Sequence, residues 1–498
     1  MNRTEADERA ALQAIAAPEA PAPPAGPGSG AGRGRGSRYA TRDLTTGSIP
    51  RNLWGLAWPQ VIEGVMRVVD QMMDLVWAGL LGTRSIAGVG VAQQWTQMIW
   101  TGRQGVDTSM RAMVARAVGA RDTTLAQHVV FQGATVSMVF FVIIAGIGFF
   151  FTEPMLRLLH VSDNVLGQAA PYMRVQFMAQ GVLGFQMFSG NALAAAGDTV
   201  TPMRATVVSR IVHIMLSPFL VFGWLGAPHF GIAGAAVASA LANGVGLAMN
   251  GSILLRGTSR LHLRLSEYRI DPRLIVQMLK IGGPAAVTGA ERSIAQLILV
   301  GLVSPFGDSA LAAYTLTRRM EMFVNLGSQG LGQASGIIVG QSLGAGKPER
   351  AKRTVIWATG YVFTIKGIMT VFMFAFPTLV LRLFAHDAGL LALAATWVRI
   401  QAVGYLALGV SQVAMQSFQT AGDTLFPMIV TLASIWGVQQ PLALFLPHQF
   451  GLGQLGIAWA ITIAVMVRPL CYLPYFLWGP WMKKQPLGRT QERAGTAL

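Results

Sequence analysis

The chain lacks most of what a soluble enzyme or a secreted domain depends on. One cysteine, Cys471, in 498 residues excludes a disulfide framework or a cysteine metal cluster within one chain. Its place in an apolar run reads as a small packed side chain. Charged residues make up only 12%, against about 25% in an average soluble domain, so most of the length cannot carry a solvated globular surface. There is no GxxxxGK[ST], no HExxH and no G-x-S-x-G in a strand-to-helix setting, which leaves nucleotide hydrolysis, zinc peptidase and hydrolase chemistry without a signature. The expected class is therefore not an enzyme. Residues 1–48 contain "AAPEAPAPPAGPGSGAGRGRGSR" and no apolar h-region, which reads as a disordered tail and not a signal peptide.

What is present is apolar. The chain is 52% hydrophobic with a mean hydropathy of +0.48, and runs of about 20 apolar residues, long enough to span a bilayer, recur from Leu53 to near Trp481. They read as twelve transmembrane helices: Leu53 to Leu80, Ile86 to Ala112, Val129 to Phe151, Ala169 to Ala194, Met203 to Leu225, Ile232 to Leu254, Ile275 to Val303, Leu311 to Val339, Thr354 to Phe384, Leu391 to Phe418, Met428 to Leu446 and Leu455 to Leu477. They are too long and too uniformly apolar for barrel strands, so the fold class is an all-α membrane protein. The net charge of +16 gathers in alternate loops: Arg38, Arg42 and Arg51; Arg111, Arg116 and Arg121; Arg256 to Lys280; Lys347 to Arg353; and Lys483 to Arg493. That pattern points to a membrane surface and not to nucleic acid, and the positive-inside rule puts both termini in the cytoplasm.

The chain also repeats itself. At an offset of 225 residues Pro59 meets Pro284, Gly82 meets Gly307, Gly119-Ala120 meets Gly344-Ala345, "AGDTVTPM" (Ala196 to Met203) meets "AGDTLFPM" (Ala421 to Met428), and Gly231-Ile232-Ala233 meets Gly456-Ile457-Ala458. The expected organisation is a tail (1–48), an N-terminal six-helix lobe (49–256), a basic linker (257–274), a C-terminal six-helix lobe (275–481) and a second tail (482–498). Two six-helix copies entering from the same side are the plan of a transporter whose halves rock about a central site.

Within the first span Glu63, Arg67, Asp70 and Asp74 follow at intervals of 4, 3 and 4, which lays them on one helical stripe. Intramembrane ionisable residues turn to a bundle interior or a watery cavity and mark substrate or proton paths. The bland alternative is a structural network neutralised by Arg67. Polar candidates for the same cavity are Gln93, Gln94, Gln97, Arg103 and Asp107 on the second helix, His213 on the fifth, Glu291 on the seventh, and Arg318, Arg319 and Glu321 on the eighth. Trp95, Trp100, Met72 and Met73 offer surface for flat cations, or simply pack. Arg103, Arg174, Arg210, Arg292 and Arg399 favour anions if several face the cavity.

"QSLGAGKPERAKR" (Gln341 to Arg353) and "AGDTVTPM" resemble the signatures of the multidrug and toxic compound extrusion (MATE) family, twelve-helix exporters driven by H+ or Na+, over about residues 50 to 480. The resemblance implies that Pro59 is a hinge and that Asp74, fifteen residues on, is the first-helix aspartate linked to H+ coupling. It also shows departures. His213 and Ser217 stand where relatives often carry Asn and Asp, and Ala407 and Arg292 where Na+-driven relatives tend to have acids, which favours H+ over Na+. The expected function is a cation-coupled, mainly H+, antiporter exporting amphipathic and mostly cationic small molecules by alternating access, with no cofactor beyond the ion gradient. Its setting is the lipid bilayer of a bacterial-type inner membrane. The alternatives are an exporter or flippase of anionic or lipid-linked substrates and, from another class, a membrane receptor or scaffold.

Overall fold

In the computed structural model the described residues run from 43 to 487, leaving out 82, 159–162, 225–229, 383, 385 and 386. Several side chains inside helices, Asp74 and Gln93 among them, also lie outside the described set. The described residues form twelve long helices. The first six are α1 (Ile49–Leu81), α2 (Thr83–Gly119), α3 (Thr123–Leu158), α4 (Asp163–Ala195), α5 (Val200–Phe222) and α6 (Ile232–Arg256). The second six are α7 (Pro272–Val303), α8 (Asp308–Gly344), α9 (Pro348–Ala375), α10 (Ala388–Thr420), α11 (Leu425–Gln449) and α12 (Gln454–Trp478). The protein is thus an all-α membrane protein of twelve transmembrane helices in two six-helix repeats.

Eight of these helices are apolar and long enough to cross a membrane on composition alone; α1, α2, α4 and α8 are not among them. These four dilute their apolar runs with ionisable and amide side chains, several of them buried, such as Gln60, Arg103, Asp107, Gln180 and Gln341, which suits helices partly shielded from lipid.

Helix boundaries follow local chemistry. The run expected to continue from Thr354 to Phe384 stops at Ala375, because Pro377 has no N–H to continue the ladder and disfavours helical geometry at Phe376; a separate short helix, Pro377–Leu381, follows. The wide turns of α11 at Ala433–Gln439, a π segment, come just before Pro441, again a missing donor. The two GD turns take the left-handed backbone that glycine permits: Gly197 has φ 104° and Gly422 φ 97°.

The lobes meet along α1 and α2 of one and α7 and α8 of the other, and the seam obeys the repeat. A Cβ added at Gly119 would lie 2.0 Å from the carbonyl oxygen of Gln341, and one at Gly344 would lie 2.1 Å from that of Arg116. Gln341 and Arg116 are themselves repeat mates, so the two contacts exchange under the pseudo-twofold. Gly105 against Gly282 and Gly330 against Ala57 form a second exchanged pair. These approaches all fall toward the end that carries the basic loops, and backbone contact there is possible only because glycine has no side chain.

Short segments strap that end shut. Residues 43–48, which the sequence assigns to the tail, fold against the opposite lobe: the Arg350 guanidinium donates to the carbonyls of Leu44, Thr46 and Gly47 at 2.8–3.1 Å, and Lys347 to that of Thr45 at 3.0 Å. Leu44 is buried among Ala194 of α4 and Ile337 and Ile338 of α8. The segment before α7 does the converse, with Gln132 of α3 bonded to both Arg269 and Asp271. Past α12, Arg116 donates to the Lys484 carbonyl at 2.7 Å and Leu487 packs into the N-lobe core.

Candidate functional site

In the N-lobe, α5 and α6 close against α1 and bring together a cluster of polar side chains. His213 is fully buried and Arg210 and Asn243 nearly so. The Asp70 carboxylate lies between two partners. One oxygen faces His213 Nδ1 at 2.6 Å, and the other accepts from Arg210. Arg210 also donates to Asn243 Oδ1 at 2.5 Å, and Asn243 to Ser239 Oγ at 3.2 Å. His213 Nε2 looks toward the Ala235 carbonyl at 3.4 Å. Both ring nitrogens therefore face oxygen acceptors, a setting that an imidazolium fits with both N–H groups.

The spacing explains the convergence. Arg210 and His213 are three apart on α5 and share a face, and Ser239 and Asn243 are four apart on α6. Each acid or base here has a charged or amide partner, as an ion in a low-dielectric site requires.

A second group lies on α2. Arg103 and Asp107, i and i+4, pair at 2.9 Å and are both buried. The guanidinium also reaches the Gly184 carbonyl and the Met187 sulfur, and stacks over the Trp100 ring at 4.7 Å from its centroid. Arg67 is in electrostatic range of Glu63, Arg103 and Arg210, and Arg111 of Asp107, so the α1 stripe and the α2 pair belong to one charged interior.

Among the sequence candidates, Asp70 and His213 meet directly; Glu63, Arg67 and Asp107 lie in the same charged interior. Gln97 is exposed. Glu291 is buried on the other lobe, with neither carboxylate oxygen hydrogen-bonded and with Arg468 and Arg292 in electrostatic range. Pro59 lies inside α1, which continues unbroken past it. Of the five arginines read as possible anion binders, Arg103 and Arg210 are interior. Arg174 pairs with Glu153 at 2.7 Å toward solvent or lipid, Arg399 and Arg292 are exposed, and Arg399 bonds the Phe374 carbonyl. Asn243 was not among the sequence candidates; an amide in the middle of the largely apolar α6 was the signal.

A family model described as MatE matches residues 59–219 and 284–445, two segments that begin 225 residues apart, in the register of the repeat. The chain is 26% identical over 452 residues to the probable multidrug resistance protein YoeA of Bacillus subtilis, covering 89% of this chain and 97% of that one. It is 23% identical to a protein named FAD transporter from Shewanella oneidensis, over 86% and 95% of the two chains. A crystal structure of MATE in the bent conformation superposes with a TM-score of 0.82 at 21% identity, covering 93% of this chain and 99% of that one. The family model covers well over half of the chain, on a fold of two six-helix repeats around a charged interior: the protein belongs to the MatE family of membrane transporters.

Proposed function

We propose that the protein is a proton-coupled antiporter that exports amphipathic small molecules, with Asp70 and His213 exchanging the proton. The observation that carries this reading is the Asp70 carboxylate held inside a transmembrane bundle between a buried histidine and a buried arginine. Histidine changes charge near neutral pH, and a carboxylate bonded to it shares its proton. Glu63 extends the same stripe of α1 by two turns, and sequence spacing alone continues it one turn past Asp70 to Asp74, so that a proton or a cationic substrate can exchange places with the Asp70 proton. Pro59 below them is the hinge. The basic end is cytoplasmic by the positive-inside rule, so the sealed seam gives an outward-facing state, and alternating access consists of parting Gly119 from Gln341 and Gly344 from Arg116 while the opposite end closes.

The test is efflux from proteoliposomes under a pH gradient without Na+, with a fluorescent organic cation as cargo. Efflux that follows the pH gradient supports the reading; a strict Na+ requirement, or no response to pH, overturns it.

A second reading concerns charge. Among the described side chains of the N-lobe interior, Arg67, Arg103, Arg111 and Arg210 stand against Glu63, Asp70 and Asp107, which suits an anionic cargo, and one relative is named an FAD transporter. Faster pH-driven efflux of a flavin nucleotide than of the organic cation decides for it.

A further inference from the structure

The C-lobe buries an ionisable group that has no counterpart in the N-lobe and that the Asp70 cluster does not use. Lys366 lies well inside the membrane-spanning α9 and is fully buried. Its repeat mate is Phe141. The two side chains occupy equivalent slots, each backed by a glycine of the neighbouring helix: a Cβ at Gly184 would strike the Phe141 ring at 1.7 Å, and one at Gly409 would meet Lys366 Cγ at 2.9 Å. Gly184 and Gly409 are repeat mates as well. The fold thus keeps the slot in both lobes, and only the C-lobe fills it with an amine.

The surroundings suit a group that gains and loses a proton. Lys366 Nζ donates to Asn325 Oδ1 at 2.7 Å and lies 6.0 Å from the centroid of the Tyr405 ring. The Tyr405 hydroxyl is buried and makes no hydrogen bond. An ammonium has three N–H donors to satisfy, and the acceptor it bonds here is neutral. The carboxylate in electrostatic range is Glu321 of α8, already taken by Arg318 at 2.5 Å. Among the described residues the titratable groups at this slot are Glu321 of α8, with its partner Arg318, and Tyr405 of α10. α1 also touches α9, but Asp70 is bound to α5 and Glu63 to the field of Arg67. A buried charge persists where it is paired, whereas lysine readily gives up its proton where it is not.

Resting on the proton-antiport reading, the geometry points to Lys366 as a second proton-exchanging residue, in the C-lobe. Glu321 is the carboxylate that moves from Arg318 to Lys366 when the lobe changes conformation. The N-lobe then couples through a carboxylate–histidine pair and the C-lobe through an amine.

Two measurements on full-length protein test this. The first is the melting temperature of the detergent-solubilised wild type against Lys366→Met from pH 6 to pH 10. A titrating lysine makes the gap between the two change with pH; a gap that stays constant across the range overturns the proposal. The second is pH-driven efflux. Lys366→Met should weaken its dependence on pH, and Asn325→Asp, which gives the lysine a permanent carboxylate partner, should move the profile toward alkaline pH. Folded variants with wild-type profiles overturn the proposal. A pH-dependent melting gap in a wild type that shows no pH-driven efflux would sink the antiport reading while leaving Lys366 as a titrating site.

Discussion

At the positions where the N-lobe carries Asp70, Arg210 and His213, the C-lobe carries Ala295, Ile435 and Val438. The backbone differs there too, since the π segment Ala433–Gln439 occupies the repeat positions of residues 208–214, a stretch of regular helix in α5. Where α2 carries Arg103, Asp107 and Arg111, α8 has Ser328, Gly332 and Gly336 and draws close to α10, with Gly336 against Thr420. One pairing survives in both lobes: Ser209 lies beside Asn243 in the first, and Ser434 accepts from Arg468 in the second. The seam, by contrast, keeps its close glycine approaches in exchanged pairs, Gly119 with Gly344 and Gly105 with Gly330. The repeat has preserved the surfaces where the lobes meet and allowed the interiors to diverge. On the proposed antiport reading, a symmetric seam is thereby joined to an asymmetric charge arrangement, through which one ion biases the position of two similar lobes.

The most severe way to break the asymmetry is Asp70→Asn. Asparagine keeps the shape and the bond to Arg210 but cannot exchange a proton with His213. Efflux driven by pH should fall about 100-fold or more, the scale of losing a positioned proton-transfer group, with the melting temperature little changed. The matching change in the C-lobe, Ala295→Ser, should leave the coupling intact. Comparable losses from both would mean that the lobes share the coupling.

Asp107→Asn comes next. It strips the partner from a buried arginine, which costs about 3–5 kcal/mol when the pair is fully buried, so it should lower the melting temperature markedly. Gly332→Ala, at the equivalent place on α8, tests whether the small residue there is required for packing: a Cβ would approach the Gln416 side chain at 3.3 Å, and only a modest loss is expected. Equal destabilisation by the two would remove the distinction between a charged and a packed interior.

The seam makes the opposite prediction, of equality. Gly119→Ala and Gly344→Ala each force a methyl group into a carbonyl at about the same distance, an overpacking worth about 1–3 kcal/mol. Both should shift the population away from the sealed basic end by similar amounts, read as greater labelling of a cysteine placed at Ala115. Unequal shifts would show that the lobes do not separate about the pseudo-twofold.

How far the sequence reached follows from these contrasts. The repeat and the twelve spans were legible because glycine, proline and apolar length are constrained by the backbone and the bilayer alone. The Asp70 stripe was legible because its spacing is helical. The partner of Asp70 was not: His213 and Arg210 lie 140 or more residues away on α5, and nothing in local pattern says which face of α5 meets α1. Lys366 escaped notice because a lone lysine in an apolar run has no periodic company and its repeat mate is a phenylalanine. The strap at residues 43–48 escaped because one buried leucine in a polar stretch makes no pattern.

That strap supplies the finest contrast. Before α1 the chain is tied down partly by charge: the Asp43 carboxylate accepts from the Thr45 amide at 2.9 Å and the Thr45 hydroxyl at 2.7 Å, with Arg121 at 3.9 Å. At the equivalent place before α7 stands Tyr268, whose hydroxyl meets Thr135 at 2.9 Å and whose ring packs edge-on to Phe131. Partial burial pushes the Asp43 pKa up, but the bonds from Thr45 and the fields of Arg260 and Arg121 outweigh it and hold the group below its ordinary value of 3.8. A carboxyl group depressed in the folded state stabilises the fold fully above its unfolded pKa, and that contribution disappears as pH falls through the folded one. Acidification below about pH 4 should therefore loosen residues 43–48 and leave in place the Tyr268 contacts, which involve no carboxylate. Hydrogen exchange of the two segments at pH 5 and pH 3, corrected for intrinsic rates, reads the difference directly. Asp43→Asn should exchange faster in the first segment at pH 5 and show little further change at pH 3. Parallel loosening of both segments in the wild type would mean that acid opens the whole basic end, and that Asp43 does not decide which strap yields first.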